Sequence, residues 1–170
     1  MDYFELFGYK PAPVVDKAST AKKYFELQKK YHPDFYTQAD DAEKEQAMFY
    51  SAAINKALNI FKSEDKTLEY FLKWKGCITD GEKYNLPPHF LMEVMEMNES
   101  IDEQEPDAAR ELLQKMQGQL MDEVKPILQD ELQWEQPAAL NRLKEWYYKK
   151  KYLQRILDRL ADWCIIAARL

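Results

Sequence analysis

The chain has 170 residues, 46% of them hydrophobic and 32% charged, with only four glycines and a net charge of −6. That length accommodates one or two domains, and the apolar fraction is ample for packed cores, so the chain is globular. Residues 1–76 hold 12 of the 24 basic and 12 of the 30 acidic side chains, so the acidic excess lies wholly in the remainder. A nucleic-acid binder, which must offer net positive surface to phosphates, is disfavoured.

Abundant Leu, Ala, Glu, Lys, Gln and Met, with no alternating strand pattern, predict an all-α protein. Residues 2–7 read as a short helix stopped by Gly8, followed by an irregular connection at Pro11 and Pro13. A second helix, capped near Asp16 or Ser19, runs to Tyr31 with Thr20, Tyr24, Leu27 and Tyr31 inward. Lys22 lies above Lys29 and Lys23 above Lys30 on its outward face, which Glu26 interrupts. Pro33 removes a backbone donor and pushes His32 out of helical conformation, so the helix ends at Tyr31 or His32. His32-Pro33-Asp34 is then expected as a loop, braced by the Asp34 carboxylate and leaving the His32 imidazole free.

Residues 35–41 read as a polar loop, and Asp40 or Asp41 caps a third helix over residues 42–61, with Ala47, Tyr50, Ile54, Ala57 and Phe61 inward. Antiparallel packing of the second and third helices would hold the tripeptide at an exposed tip, where a conspicuous loop serves recognition rather than packing. A fourth helix over residues 66–75 is expected to be capped by Asp65, to bury Leu68, Phe71 and Leu72, and to stop at Gly76.

Residues 77–87 form a polar, aromatic-spotted connector between a unit over 1–76 and a second over 88–170. Pro88 opens a helix to residue 102 that carries two patterns. Phe90, Val94, Met97 and Ile101 make a core stripe, while Leu91, Met92, Met95, Glu96, Glu99 and Glu103 gather on the opposite side. That second face is a candidate for docking a basic-rimmed partner, and packing against neighbouring helices of the same bundle is the alternative.

A helical region follows over residues 107–136, kinked or interrupted at Pro126, with Leu112, Leu113, Met116, Leu120, Val124, Ile127, Leu128 and Leu132 in approximate register. A last helix over 138–169 turns Leu140, Leu143, Tyr147, Leu153, Ile156, Leu157, Leu160 and Trp163 inward, completing a three-helix bundle. Its Lys149, Lys150, Lys151 and Arg155 could lie along the acidic helices. Cys77 and Cys164 have no second ligand at metal spacing, which leaves them as buried thiols in a reducing compartment and predicts no metal site. The opening Met1-Asp2-Tyr3-Phe4 has neither a basic segment nor an apolar run, and no stretch reaches about 18 apolar residues. A cytoplasmic protein without a membrane span is expected.

The basic helix ending in Tyr31-His32-Pro33-Asp34, followed by a helix containing Ile54-Asn55-Lys56-Ala57, resembles the J-domain co-chaperones. The wording Met1-Asp2-Tyr3-Phe4-Glu5-Leu6-Phe7-Gly8 and Leu27-Gln28-Lys29-Lys30-Tyr31-His32-Pro33-Asp34-Phe35 is similar to the HscB branch, which serves iron–sulfur clusters. So are Leu68-Glu69-Tyr70-Phe71-Leu72 and Phe90-Leu91-Met92-Glu93. The resemblance implies an N-terminal J-domain and a C-terminal three-helix bundle in an L, with no enzyme activity and no cofactor. It implies that His32, Pro33 and Asp34, attracted by Lys22, Lys23, Lys29 and Lys30, engage a DnaK/HscA-type ATPase chaperone and stimulate it. Leu91, Met92, Met95, Glu96, Glu99, Glu103 and Tyr152 would bind an IscU-type scaffold protein. Phe35 stands where many J-domains have a basic residue. The alternatives are a J-domain adaptor for another client, or a metal-assisted hydrolase using His32 and Asp34.

Overall fold

The structure, a computed structural model, describes the backbone of residues 1–102 and 106–167 and the side chains of residues 1–99 and 107–160. The side chains of Ile101, Glu103, Trp163 and Cys164 lie outside the described set. Every regular element among the described residues is helical, as expected from the composition, and no described helix is long and apolar enough to cross a membrane. The chain divides into two compact units, Met1–Gly76 and Cys77–Leu170.

In the first unit α1 (Tyr3–Phe7) begins where the Asp2 carboxylate accepts the Phe4 amide at 2.8 Å, and ends at Gly8, whose φ of 66° suits a residue without Cβ. Helix α2 (Lys17–Tyr31) is capped by Asp16, and α3 (Asp41–Phe61) by Asp40, whose carboxylate accepts the Glu43 amide at 2.8 Å. Helix α4 is longer at its start than the sequence suggests. It spans Glu64–Trp74, and Ser63 rather than Asp65 is the cap, which places Glu64 and Asp65 in the first turn against the positive end of the helix dipole.

The core of this unit is aromatic. Phe4 and Phe7 pack on Phe61 with centroids 5.3 Å apart in both pairs, and Phe4 meets Tyr70 at 5.0 Å. Asp2 closes the cluster by accepting from Trp74 Nε1 at 2.9 Å. Ile54, Ala57, Phe71 and Leu72 complete the interior, each full burial of a large side chain contributing about 1.5–3 kcal/mol. Buried Thr67 is satisfied by donating to the carbonyls of Ile60 and Ser63, which ties α3 to α4.

The second unit is a bundle of α5 (Pro88–Asp102), α6 (Pro106–Leu128) and α7 (Pro137–Ala167). Each helix begins on a proline, whose missing amide hydrogen costs nothing in the first turn. The interruption expected at Pro126 falls two residues later: helix α6 stops at Leu128, and a 3-10 turn (Glu131–Glu135) follows. Carbonyls of the last turns find other donors: Trp134 Nε1 reaches the Ile127 oxygen at 2.7 Å and Arg142 Nη2 the Glu123 oxygen at 2.9 Å. Leu132, expected inward, is therefore 80% exposed, and Leu157 on α7 is also exposed. The interior is built from Phe90, Val94 and Met97 on α5, with Leu113, Met116 and Ile127 facing Leu143, Leu153 and Leu160.

Residues 77–87 are irregular but held on α7. Lys144 Nζ donates to the Cys77 carbonyl at 2.8 Å and pairs with Glu82, Tyr84 stacks on Tyr148 at 4.6 Å, and Ile78 is buried. Cys77, expected buried, is only partly so. Of the basic run on α7, Lys149 lines a cleft with Glu93 of α5 and Asp122 and Glu123 of α6, while the others lie over rings of their own helix. Lys150 sits over the ring of Trp146, Lys151 over Tyr147 and Arg155 over Tyr152, each three or four residues back on the same helix.

Two outcomes follow. Truncating Phe71→Ala, fully buried, should lower unfolding free energy by about 3–5 kcal/mol in chemical denaturation, whereas Leu132→Ala should stay within about 0.5 kcal/mol; equal effects would contradict this placement of the core. The Lys144 ammonium holds the Glu82 carboxyl below its ordinary 4.5 and is itself held above 10.5 by Glu82. A depressed carboxylate stabilises above its unfolded value and ceases to do so as pH falls through the folded one, while the raised lysine keeps its share until pH passes 10.5. The stability difference between the native chain and Glu82→Gln should thus be constant from about pH 5 to pH 10 and shrink at lower pH, as read by denaturation at each pH.

Candidate functional site

Two faces, one on each unit, carry the side chains singled out by the sequence. The first is the tip between α2 and α3. Helix α2 ends at Tyr31, and His32 leaves it in extended conformation, φ −68° and ψ 129°, its amide still donating to the Gln28 carbonyl. Where a loop is expected, Pro33–Tyr36 forms a 3-10 turn. The turn is pinned on α2 because Tyr36 Oη donates to the Lys30 carbonyl at 2.8 Å, one of the oxygens that helix termination would leave unpaired. On the other side the Tyr31 ring stacks on Tyr50 of α3 at 4.5 Å, and lower down Tyr24 and Gln28 both donate to Asn55 Oδ1.

Within the tip the roles of His32 and Asp34 differ from expectation. The Asp34 carboxylate does not brace the turn; instead the Asp34 amide donates to His32 Nδ1 at 3.3 Å, and Asp34 Oδ2 lies 3.5 Å from the same nitrogen. The imidazole is thus engaged at one edge. With Nδ1 accepting, the neutral ring carries its hydrogen on Nε2, so the other edge is a donor. The His32 side chain is 45% exposed and that of Asp34 83%. The Phe35 ring flanks the imidazole edge-on at 6.1 Å and is itself exposed. Among the described residues no group of three or more His, Cys, Asp or Glu side chains is placed to hold a metal ion, at this tip or elsewhere.

Lys22, Lys23, Lys29 and Lys30 of α2 are all exposed, but they are not equivalent. Lys23 pairs with Glu26 at 3.5 Å, and Lys30 lies over the Tyr31 ring at 4.9 Å. Hydrogen bonding to the Tyr31 side chain raises the pKa of Lys30 above 10.5 and keeps it charged. Lys22 and Lys29, the other column, make no ion pair among the described residues. The placement of lysines in the last turn also suits the negative end of the helix dipole.

The second face is the outer side of α5. Phe90, Val94 and Met97 are buried, which leaves Met92 and Met95 exposed at 70% and 62%, with Leu91 at the margin and Glu96 and Glu99 on the surface around them. Glu103 lies outside the described residues. Tyr152 approaches from α7, its ring edge-on to Phe90 at 6.2 Å with the Arg155 guanidinium 4.8 Å from its centre. It thus stands beside the residue preceding Leu91. A further tie, Arg159 Nη1 to Asn98 Oδ1 at 3.2 Å, holds α7 against that flank of α5. A cleft of about 450 Å³ beside Glu93 and Asp122 lies on the other flank.

Two residues that set these faces have roles that the sequence does not show. Tyr36 has the signal of a tyrosine three residues after proline, too common to single out. Lys149 stands in a basic run expected along the acidic helices, and there it is buried: it pairs with Glu145 at 2.6 Å and lies 5.5 Å from the centre of the Phe90 ring. With Tyr152 it grips Phe90 and so fixes which side of α5 faces outward.

Matches to known proteins extend over both units. Residues 86–161 match the family model described as the HSCB C-terminal oligomerisation domain. A co-chaperone protein HscB homolog of Shewanella halifaxensis is 32% identical over 171 residues, covering 95% of this chain and 98% of the relative, and co-chaperone protein HscB of Proteus mirabilis is 31% identical, covering 95% and 99%. The crystal structure of human co-chaperone protein HscB superposes with a TM-score of 0.74 at 27% identity, covering 95% of this chain and 81% of the human one. Chaperone HscB from Vibrio cholerae gives 0.60 at 28%, covering 94% and 99%. With an all-helical fold in common and full-length relatives above 30% identity, the chain belongs to the HscB family of co-chaperones.

Proposed function

We propose that the chain is a two-ended adaptor that binds a DnaK/HscA-type ATPase chaperone through its first unit and an IscU-type iron–sulfur scaffold through its second. The observation that carries this reading is the tip of the first unit: an imidazole held at Nδ1, with its other edge turned to solvent, on a turn locked to two helices. A side chain preset in this way loses little conformational freedom when a partner accepts its hydrogen. Lys22, Lys23, Lys29 and Lys30 add positive potential along the approach, which raises the rate of encounter with an acidic surface.

The exposed Leu91, Met92 and Met95 favour a protein client on α5. Methionine adapts to irregular partner surfaces, and the neighbouring glutamates suit a basic rim. Holding both partners raises the concentration of scaffold at the chaperone, and stimulated hydrolysis then commits the chaperone to its client. The chain itself carries out no bond-making step and needs no cofactor of its own. Its part in iron–sulfur cluster maturation is delivery.

His32→Gln should abolish stimulation of the chaperone's steady-state ATPase while leaving the thermal unfolding curve and scaffold binding as in the native chain. A folded variant that stimulates normally would refute the role of the tip. Replacing Leu91, Met92 and Met95 together by Ala should weaken scaffold binding by about a hundredfold in calorimetric titration, with far-ultraviolet dichroism retained. Loss of helicity in that variant would instead mark the three side chains as core.

A further inference from the structure

We infer that Phe25 is an apolar anchor in the chaperone-facing surface and that it decides which chaperone this chain accepts. The inference rests on the two-ended reading given above and concerns the first of its two ends. Phe25 is 65% exposed, as unburied as Phe35 beside the imidazole, on a helix whose other large side chains are at least half covered or charged.

A lone exposed aromatic has no meaning by itself, because apolar atoms make up much of any protein surface. Its register gives it one. At 100° per residue, Lys22, Phe25, Lys29 and His32 fall three, four and three residues apart within an arc of about 80°, and they extend about 15 Å along α2 to its C-terminal cap. The other column, Lys23 and Lys30, is occupied by Glu26 and by the Tyr31 ring. The stripe whose cations make no ion pair among the described residues is therefore the one that carries the phenyl ring, and it runs into the His32 tip without a break.

Among the described residues the only ring contact of Phe25 is edge-on with its neighbour Tyr24 at 5.6 Å, which gives no packing reason for a large apolar group at this position. Its surroundings specify a partner surface: acidic groups about 10 Å apart to meet Lys22 and Lys29, with an apolar recess between them. The ATPase chaperone that receives His32 is the occupant committed to here, since the stripe and the tip form one continuous surface. Such an anchor would alter the balance of forces. Apolar contact is nearly indifferent to salt, whereas exposed cations lose their pull as the Debye length shortens. A chaperone lacking the recess would be rejected even if its charges matched.

The test compares the native full-length chain with Phe25→Ala, Lys29→Ala and His32→Gln, each checked for an unchanged thermal unfolding curve, in steady-state ATPase assays of the chaperone. Phe25→Ala should raise the concentration giving half-maximal stimulation about tenfold, with the plateau retained, both at about 0.05 M and at about 0.3 M salt. The effect of Lys29→Ala should be confined to the low salt. A half-maximal concentration for Phe25→Ala within about twofold of native, or an effect that disappears at high salt, overturns the inference while leaving the wider reading intact, provided His32→Gln is inactive. If the native chain fails to stimulate, or His32→Gln stimulates normally, the wider reading falls and this inference with it.

Discussion

Pro33 has no amide hydrogen and its ring crowds the residue before it, and from these two facts the functional end of the first unit takes its shape. Helix α2 must end, and its last carbonyls must find donors or remain unpaired. The chain answers by folding back in a 3-10 turn that brings the Tyr36 hydroxyl to the Lys30 oxygen. Once that bond is made, His32 has no freedom to swing with a loose loop, and the Asp34 amide meets its Nδ1. The stack of Tyr31 on Tyr50 then fixes the tip to α3, whose own position depends on the aromatic core around Phe61. The tip is as rigid as the unit beneath it.

A comparable dependence operates in the second unit, through a buried charge. An ammonium group withdrawn from water is costly unless paired, and Lys149 is paired, with Glu145 below it and the electron-rich face of Phe90 beside it. Phe90 is in turn met by Tyr152, so α5 cannot roll about its axis without breaking contacts on both sides. Rolling would be the natural relaxation for a helix with apolar residues on two faces, because it could bury Met92 and Met95 at the expense of Phe90 and Val94. The grip on Phe90 keeps those methionines outside, which favours reading them as a docking face over reading them as unfinished core.

The sequence announced most elements because their signals are local. Asp16 and Asp40 cap helices where carboxylates precede helical runs, and glycines and prolines mark the ends. It misled where a local signal had a competitor or where periodicity outlasted the helix. Ser63 caps α4 because two acids after it are better used in the first turn than at the cap. Leu132 kept the helical register of α6 on paper, but the backbone had already turned at Leu128, so a correct phase gave a wrong face. Lys149 could not be distinguished from Lys150 and Lys151 by type, and only the three-dimensional neighbourhood of Phe90 separates them. The candidate tip was legible as to which residues, while the direction of the His32–Asp34 interaction, amide to ring rather than carboxylate to backbone, needed coordinates.

Both faces are small, a handful of side chains each, and modest affinity at each would suit the proposed task. An interface with few anchors releases quickly, since dissociation rates carry most differences in affinity among related complexes. A carrier must let go of its cargo after delivery, so tight binding at either end would slow turnover rather than help it. Linking two modest sites in one chain resolves the conflict: the second encounter becomes effectively intramolecular, and occupancy of the complex rises without a new contact. The cost is that each face must keep apolar groups in water between encounters. Phe25 and Phe35 on the first unit and Leu91, Met92 and Met95 on the second are the side chains on which that exposure falls.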